Sequence, residues 1–159
     1  MQDDAPYTYA GANGKSVNNY DRRYRGFTTL REAITDSINI VTVKTLAQAG
    51  VSLGWQYVQE YGFTTVDSRD MNEALALGGI TQGVSNLELT AAYAAIANQG
   101  TYIKPKFYTK ILDHDGNVLI DNTTPESHTV IKDTTAWLLT SAMEDVMTSG
   151  CLLYTSDAA

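Results

Sequence analysis

Apolar positions in this chain recur at helical spacing in several stretches and at strand spacing in one. Leu30, Ala33 and Ile34 begin a helical run that Val43, Leu46 and Ala47 continue, with Gly50 as a left-handed stop. Thr29 and Glu32 form a capping box at its start: the hydroxyl takes the amide three residues on, and the carboxylate reaches back. Ser37-Ile38-Asn39 interrupts the run with two side chains that bond nearby backbone and loosen a helix. Ser52 is the expected cap of a shorter helix carrying Leu53, Tyr57, Val58 and Tyr61 and stopped by Gly62, with Trp55 as packing. Ser85 and Glu88 make a second capping box before Asn86–Gln99. That segment is apolar nearly all round, which predicts a buried helix, and Gly100 is its expected stop. Asp133 is the expected cap of a last helix, Thr134–Met147, with Trp137, Leu138, Ala142, Met143 and Val146 facing inward.

Between the last two helices the pattern shortens. Tyr102-Ile103, Phe107-Tyr108, Ile111-Leu112, Val118-Leu119-Ile120 and His128–Ile131 read as strands, with Asp113–Asn117 as a hairpin turn and Pro105 at an edge or lead-in. Asp113, His114 and Asp115 sit in one tight turn without distant partners, a poor metal set, so no metal site is expected. Ala10–Gly14 is turn chemistry, and Thr64–Asn72 is a polar loop. Gly78, Gly79 and Gly83 mark positive φ angles or close backbone packing. Without a Gly-Lys-Ser/Thr they do not read as a phosphate loop. Helices grouped around a hairpin, rather than alternating with strands, predict an α+β fold.

At 159 residues, 43% hydrophobic and 18% charged, the chain fits one globular domain. A formal charge of −7 and the lack of a basic stripe argue against nucleic acid as a partner, since Arg22, Arg23 and Arg25 form only a local cluster. No run reaches the roughly 20 apolar residues needed to span a bilayer, and no signal-peptide pattern is present.

Tyr24-Arg25-Gly26-Phe27-Thr28-Thr29-Leu30-Arg31-Glu32-Ala33, followed by Ser37-x-Asn39, resembles the transpeptidase domain of class A (bifunctional) penicillin-binding proteins. Ala74-Leu75-Ala76-Leu77-Gly78-Gly79, running into Gly83-Val84-Ser85, is similar to a second segment of that family, and the likeness extends over about Asn19–Gly150. The Tyr-x-Gly-x-x-Thr-Leu-Arg-x-Ala lead-in resembles penicillin-binding proteins rather than class A β-lactamases, which share the motif layout. The resemblance implies a partial penicillin-binding protein/β-lactamase-like fold, mainly its helical part plus a β-hairpin, with part of the sheet missing. It also implies that Ser37 is catalytic, helping to shuttle protons, and that Asn39 binds substrate through its amide. The expected partners are peptidoglycan stem peptides ending in D-Ala-D-Ala, and β-lactams, with no cofactor. The implied parent protein is membrane-anchored, works on the extracytoplasmic face and also carries a glycosyltransferase domain.

The nucleophile is not in this chain. No serine has a lysine three positions on, and Lys44-Thr45 is followed by Leu46, so both the Ser-x-x-Lys and the Lys-Thr-Gly elements of the family are lacking. Residues 1–150 therefore read as part of a transpeptidase domain, inactive alone. Cys151–Ala159 resembles the translation of a sequencing adapter, and setting it aside removes the one cysteine and Asp157, leaving 11 bases against 17 acids. Two alternatives stand beside the enzyme: a catalytically silent module that binds muropeptides or β-lactams, and a structural interaction domain in which Ser37 and Asn39 are ordinary cap residues.

Overall fold

Local capping chemistry sets where the helices begin. The computed structural model describes residues 1–9 and 16–151, so the Ala10–Gly14 turn and residues 152–159 of the tail lie outside the described residues. Helix α1 (Leu30–Thr35) starts at Thr29, whose hydroxyl accepts the Glu32 amide while the Glu32 carboxylate accepts the Thr29 amide at 2.8 Å. Helix α2 (Asn39–Ala49) follows after a three-residue turn, and α3 (Val51–Glu60) follows α2 directly. Helix α4 (Asn86–Ala97) starts at Ser85 with the second capping box complete, and α5 (Asp133–Thr148) closes the order. Two 3-10 turns, Ser68–Asp70 and Glu73–Leu77, occupy the stretch before the glycine-rich segment.

The strands are short and pair antiparallel in four two-stranded sheets among the described residues. β1 (Gln2–Asp4) pairs with β4 (Gly26–Thr28), setting Asp4 opposite Gly26, and β2 (Tyr7–Thr8) pairs with β3 (Ser16–Val17). β5 (Thr101–Ile103) pairs with β8 (Ser127–Thr129), and β6 (Lys110–Leu112) with β7 (Val118–Asp121) across the expected turn. In that turn Asp113 accepts the amides of Asp115 and Asn117 at 2.9 and 2.8 Å. Phe107 and Tyr108 precede β6 as irregular chain rather than strand, and Pro105 lies in the lead-in after β5.

Small residues build the core. Val17, Ile40 and Val43 form one cluster, Ala33, Ile38 and Val41 a second, and Ala91, Ala95, Tyr102 and Val130 a third. The expectation of a fully buried helix after Ser85 is corrected: α4 buries only Ala91, Ala92 and Ala95, while Leu87, Leu89 and Tyr93 are exposed. Helix α5 differs in the same way, since Trp137 and Leu138 are exposed and Ala136 joins Ala142 inside. An apolar side chain is buried only where another element covers it, and the described elements cover these only in part.

Three helix ends also differ from expectation. Ser52 lies inside α3, whose cap position is Gly50 at φ 101° and ψ 121°, a positive but not left-handed-helical conformation. Asp133 is the first residue of α5 rather than its cap, and its carboxylate accepts the Thr134 amide at 2.7 Å. After α4 the left-handed residue is Gln99 at φ 54°, one before the expected Gly100. Gly100 (φ 84°) instead lies so close to the Ile131 carbonyl that a Cβ would collide with it. Gly78 and Gly83 do take positive φ, and Gly79 packs tightly on Ala74.

Candidate active-site turn

The turn between α1 and α2 is closed by two backbone bonds. The Ser37 amide donates to the Ile34 carbonyl at 3.2 Å and the Ile38 amide to the Ala33 carbonyl at 2.9 Å. This pairing ends a helix by placing one residue in the left-handed region, a position glycine usually fills. Here it is Ser37, at φ 54°. Ile38 packs back on Ala33 and Val41, the apolar contact that accompanies such a stop.

Ser37 is exposed and lines a recess of about 200 Å³ with Asn19, Tyr20, Asp21, Arg25, Asp36 and Cys151. Arg25 supplies the recess with its positive charge. Its guanidinium stands 3.1 Å from Asp21, 3.7 Å from Asp36 and 4.0 Å from Asp4. The Arg23 amide, followed by the Arg25 guanidinium, holds the Asp21 carboxyl below its usual range. Asn39, the first residue of α2, is half-buried and not part of that lining. Its side-chain amide donates to the Asn18 carbonyl at 3.0 Å. The turn thus brings both sequence-predicted residues to one end of α2 but points them at different surroundings.

Sequence reasoning missed Asp4 and Asn19. Asp4 is fully buried and Asn19 nearly so. Asn19 donates to both Asp4 carboxylate oxygens, at 2.8 and 3.0 Å, and to the Arg23 carbonyl at 2.8 Å, while its oxygen accepts the Ile40 amide at 3.3 Å. Next to a stretch of turn residues, an asparagine gives no local sign of this, and its carboxylate partner lies 15 positions away.

Other contacts brace the turn. Arg31 on α1 donates to the Ser141 carbonyl at 3.1 Å and its hydroxyl at 3.0 Å and pairs with Asp145, tying α1 to α5. The Cys151 amide donates to the Thr35 carbonyl at 3.1 Å, satisfying one of the free carbonyls at the end of α1. The glycine-rich segment is held by buried Asp70, which accepts the Thr81 hydroxyl at 2.6 Å and amide at 2.8 Å and is thereby kept below the usual carboxylate range. No group of His, Cys, Asp and Glu able to hold a metal occurs among the described residues, and none of their helices is long and apolar enough to cross a membrane.

Residues 2–158 match the model of the penicillin binding protein transpeptidase domain, and the chain belongs to that family. Among its relatives, penicillin-binding protein 1F of Bacillus subtilis is 39% identical over 132 residues, 83% of this chain and 18% of that protein. Penicillin-binding protein 1A of Clostridium novyi is 32% identical over 146 residues, 91% of this chain and 17% of the relative. The chain therefore spans less than a fifth of the length of these relatives. The crystal structure of penicillin-binding protein 1A from Haemophilus influenzae superposes with a TM-score of 0.78 at 24% identity, covering 93% of this chain and 26% of that one. The PonA1 protein of Mycobacterium tuberculosis, solved in complex with penicillin V, gives 0.76 at 21% identity, covering 91% and 40%. At these identities the two structures speak to the fold, an α+β transpeptidase arrangement of which this chain forms part.

Proposed function

We propose that this chain is an internal part, residues 1–150, of a class A peptidoglycan D,D-transpeptidase. In this reading Cys151–Ala159 is not native protein. The carrying observation is the Ser37 turn: a non-glycine residue held left-handed, exposed beside the paired charges of Asp21, Arg25 and Asp36, at the junction where the family resemblance puts its Ser-x-Asn element. Backbone held in a sparsely populated region tends to mark a site where a side chain's placement matters more than local stability.

The reaction is acyl transfer. A serine hydroxyl attacks the D-Ala-D-Ala carbonyl, the bond to the terminal D-Ala amine breaks with a proton delivered to that amine, and an amine of a second stem peptide then takes the acyl group. A weak alcohol nucleophile needs a neighbouring base and a route for its proton. The Ser37 hydroxyl serves that route, and the Asn39 side-chain amide, released from the Asn18 carbonyl, holds the substrate's amide. The nucleophile and the Lys-Thr-Gly strand come from parts of the parent protein outside this chain, so the chain alone forms no acyl-enzyme. β-Lactams enter the same cleft as stem-peptide mimics. A membrane anchor and a glycosyltransferase domain belong to the parent, which acts on the extracytoplasmic face.

The exposed apolar side chains of α4 and α5 support the same reading, because a self-contained domain rarely leaves Tyr93, Trp137 and Leu138 each more than half exposed. Intact-mass measurement after incubation with benzylpenicillin is the direct test. The isolated chain is expected to gain no adduct while the full-length gene product gains one, and an adduct on the chain itself would refute the assignment.

A further inference from the structure

We propose that Asn19 is a positioning residue for the Ser37–Asn39 turn: it caps α2 from outside the helix and is itself oriented by the buried Asp4 carboxylate. The proposal rests on the assignment of Ser37 and Asn39 to the transpeptidase cleft. Helix α2 begins behind Ile38, a residue with no polar side chain, so the helix has no local cap. The Ile40 amide, the second of the helix, then has no intrahelical acceptor, and Ile40 is 0% exposed. A buried amide in that position needs a partner from elsewhere. Asn19 supplies it, with its side-chain oxygen 3.3 Å from the Ile40 nitrogen.

The other end of the Asn19 amide fixes this orientation. Its nitrogen faces three acceptors, the two oxygens of Asp4 and the Arg23 carbonyl, whereas its oxygen faces a donor. The reversed amide would set oxygen against each of the three acceptors and donor against donor at the Ile40 amide. Asp4 is 0% exposed, and a buried carboxylate persists only where donors replace its water. Here the donors are the Asn19 amide, the Arg25 backbone amide at 2.9 Å and, more distantly, the Arg25 guanidinium at 4.0 Å. The same guanidinium reaches Asp36, the residue before Ser37. Immediately before Asn19, the Asn18 carbonyl holds the Asn39 side chain. The network therefore touches residues 36, 39 and 40, on both sides of Ser37.

A device for placing the turn and a brace for the whole fold predict different results. In the ¹⁵N-labelled full chain, Asn19→Ala is expected to speed amide hydrogen exchange at Ile40 by about tenfold, the loss of roughly one hydrogen bond. Exchange at Ala95, in the separate cluster with Tyr102, stays within about twofold. Asp4→Asn, which keeps the shape but weakens the grip on the Asn19 amide, shows the same pattern at smaller amplitude. Equal acceleration at Ile40 and Ala95, or none at Ile40, overturns the proposal.

In the full-length gene product, Asn19→Ala is expected to slow acylation by a fluorescent penicillin about tenfold through the acylation step rather than through affinity. Adding it to Asn39→Ala costs little more, because both act through one turn. Fully additive losses overturn the positioning role. Failure of the wild-type full-length protein to be acylated at all sinks the transpeptidase assignment instead, and the exchange pattern at Ile40 still decides whether Asn19 is the cap.

Discussion

The Ile38 amide donates to the Ala33 carbonyl across 2.9 Å, and Ser37, enclosed by that bond, stands at φ 54°. A side chain at this φ carries a cost of about 1–2 kcal/mol that glycine does not. Replacing serine by glycine also gives the unfolded chain more freedom, worth about 0.4–1 kcal/mol in the other direction. Ser37→Gly is therefore expected to leave the chain about 0.8 kcal/mol more stable in urea unfolding, the difference of those terms at mid-range. In the full-length protein the same variant, lacking the hydroxyl, is expected to slow penicillin acylation about a hundredfold. A less stable Ser37→Gly would show that the serine itself holds the turn.

Gly100 and Gly78 both take positive φ, at 84° and 74°, yet only Gly100 faces an obstacle, the Ile131 carbonyl. Gly78→Ala should cost about 1 kcal/mol, from backbone strain alone. Gly100→Ala adds a collision with main chain, and its cost should exceed that of Gly78→Ala by about 1–3 kcal/mol. Comparing the two urea midpoints checks this, and equal costs would mean the β8–α5 connection yields freely.

The second capping box carries a pH dependence. Glu88 accepts the Thr64 hydroxyl at 2.6 Å, the Ser85 amide at 3.0 Å and the Thr64 amide at 2.9 Å, which lower its pKa from 4.5 to about 2. A carboxyl lowered in the folded state stabilises fully above its unfolded pKa and loses that contribution as pH falls through the folded value. The Glu88 contribution is thus present above about pH 4.5 and gone near pH 2. Glu88→Gln should flatten the fall in urea midpoint between those pH values, and Ser85→Ala should cost about 1 kcal/mol at pH 7 through the lost cap. An unchanged acid limb in Glu88→Gln would assign the fall to other carboxylates.

Local chemistry made much of the fold legible. Thr29 with Glu32 and Ser85 with Glu88 are capping boxes because each needs only partners three residues apart, and both form. The Asp113–Asn117 turn was legible for the same reason. Burial of Leu87 and Trp137 was not, because apolar periodicity says which face wants cover and not whether anything covers it. The left-handed stop after α4 falls on Gln99, while Gly100 packs against Ile131, a contact 31 positions distant that no local window shows. At the candidate site, Ser37 and Asn39 are named through resemblance alone, whereas the Asp4–Asn19 support depends on strand β1 pairing with β4 and leaves no mark on any local window.

The most direct test of the account is to map the acylated serine in the full-length gene product after labelling with benzylpenicillin. The adduct is expected on a serine outside these 159 residues, with Ser37→Ala and Asn39→Ala each slowing labelling about a hundredfold in a folded protein. An adduct on Ser37 or another serine of residues 1–150, or labelling at the wild-type rate in both variants, would contradict it.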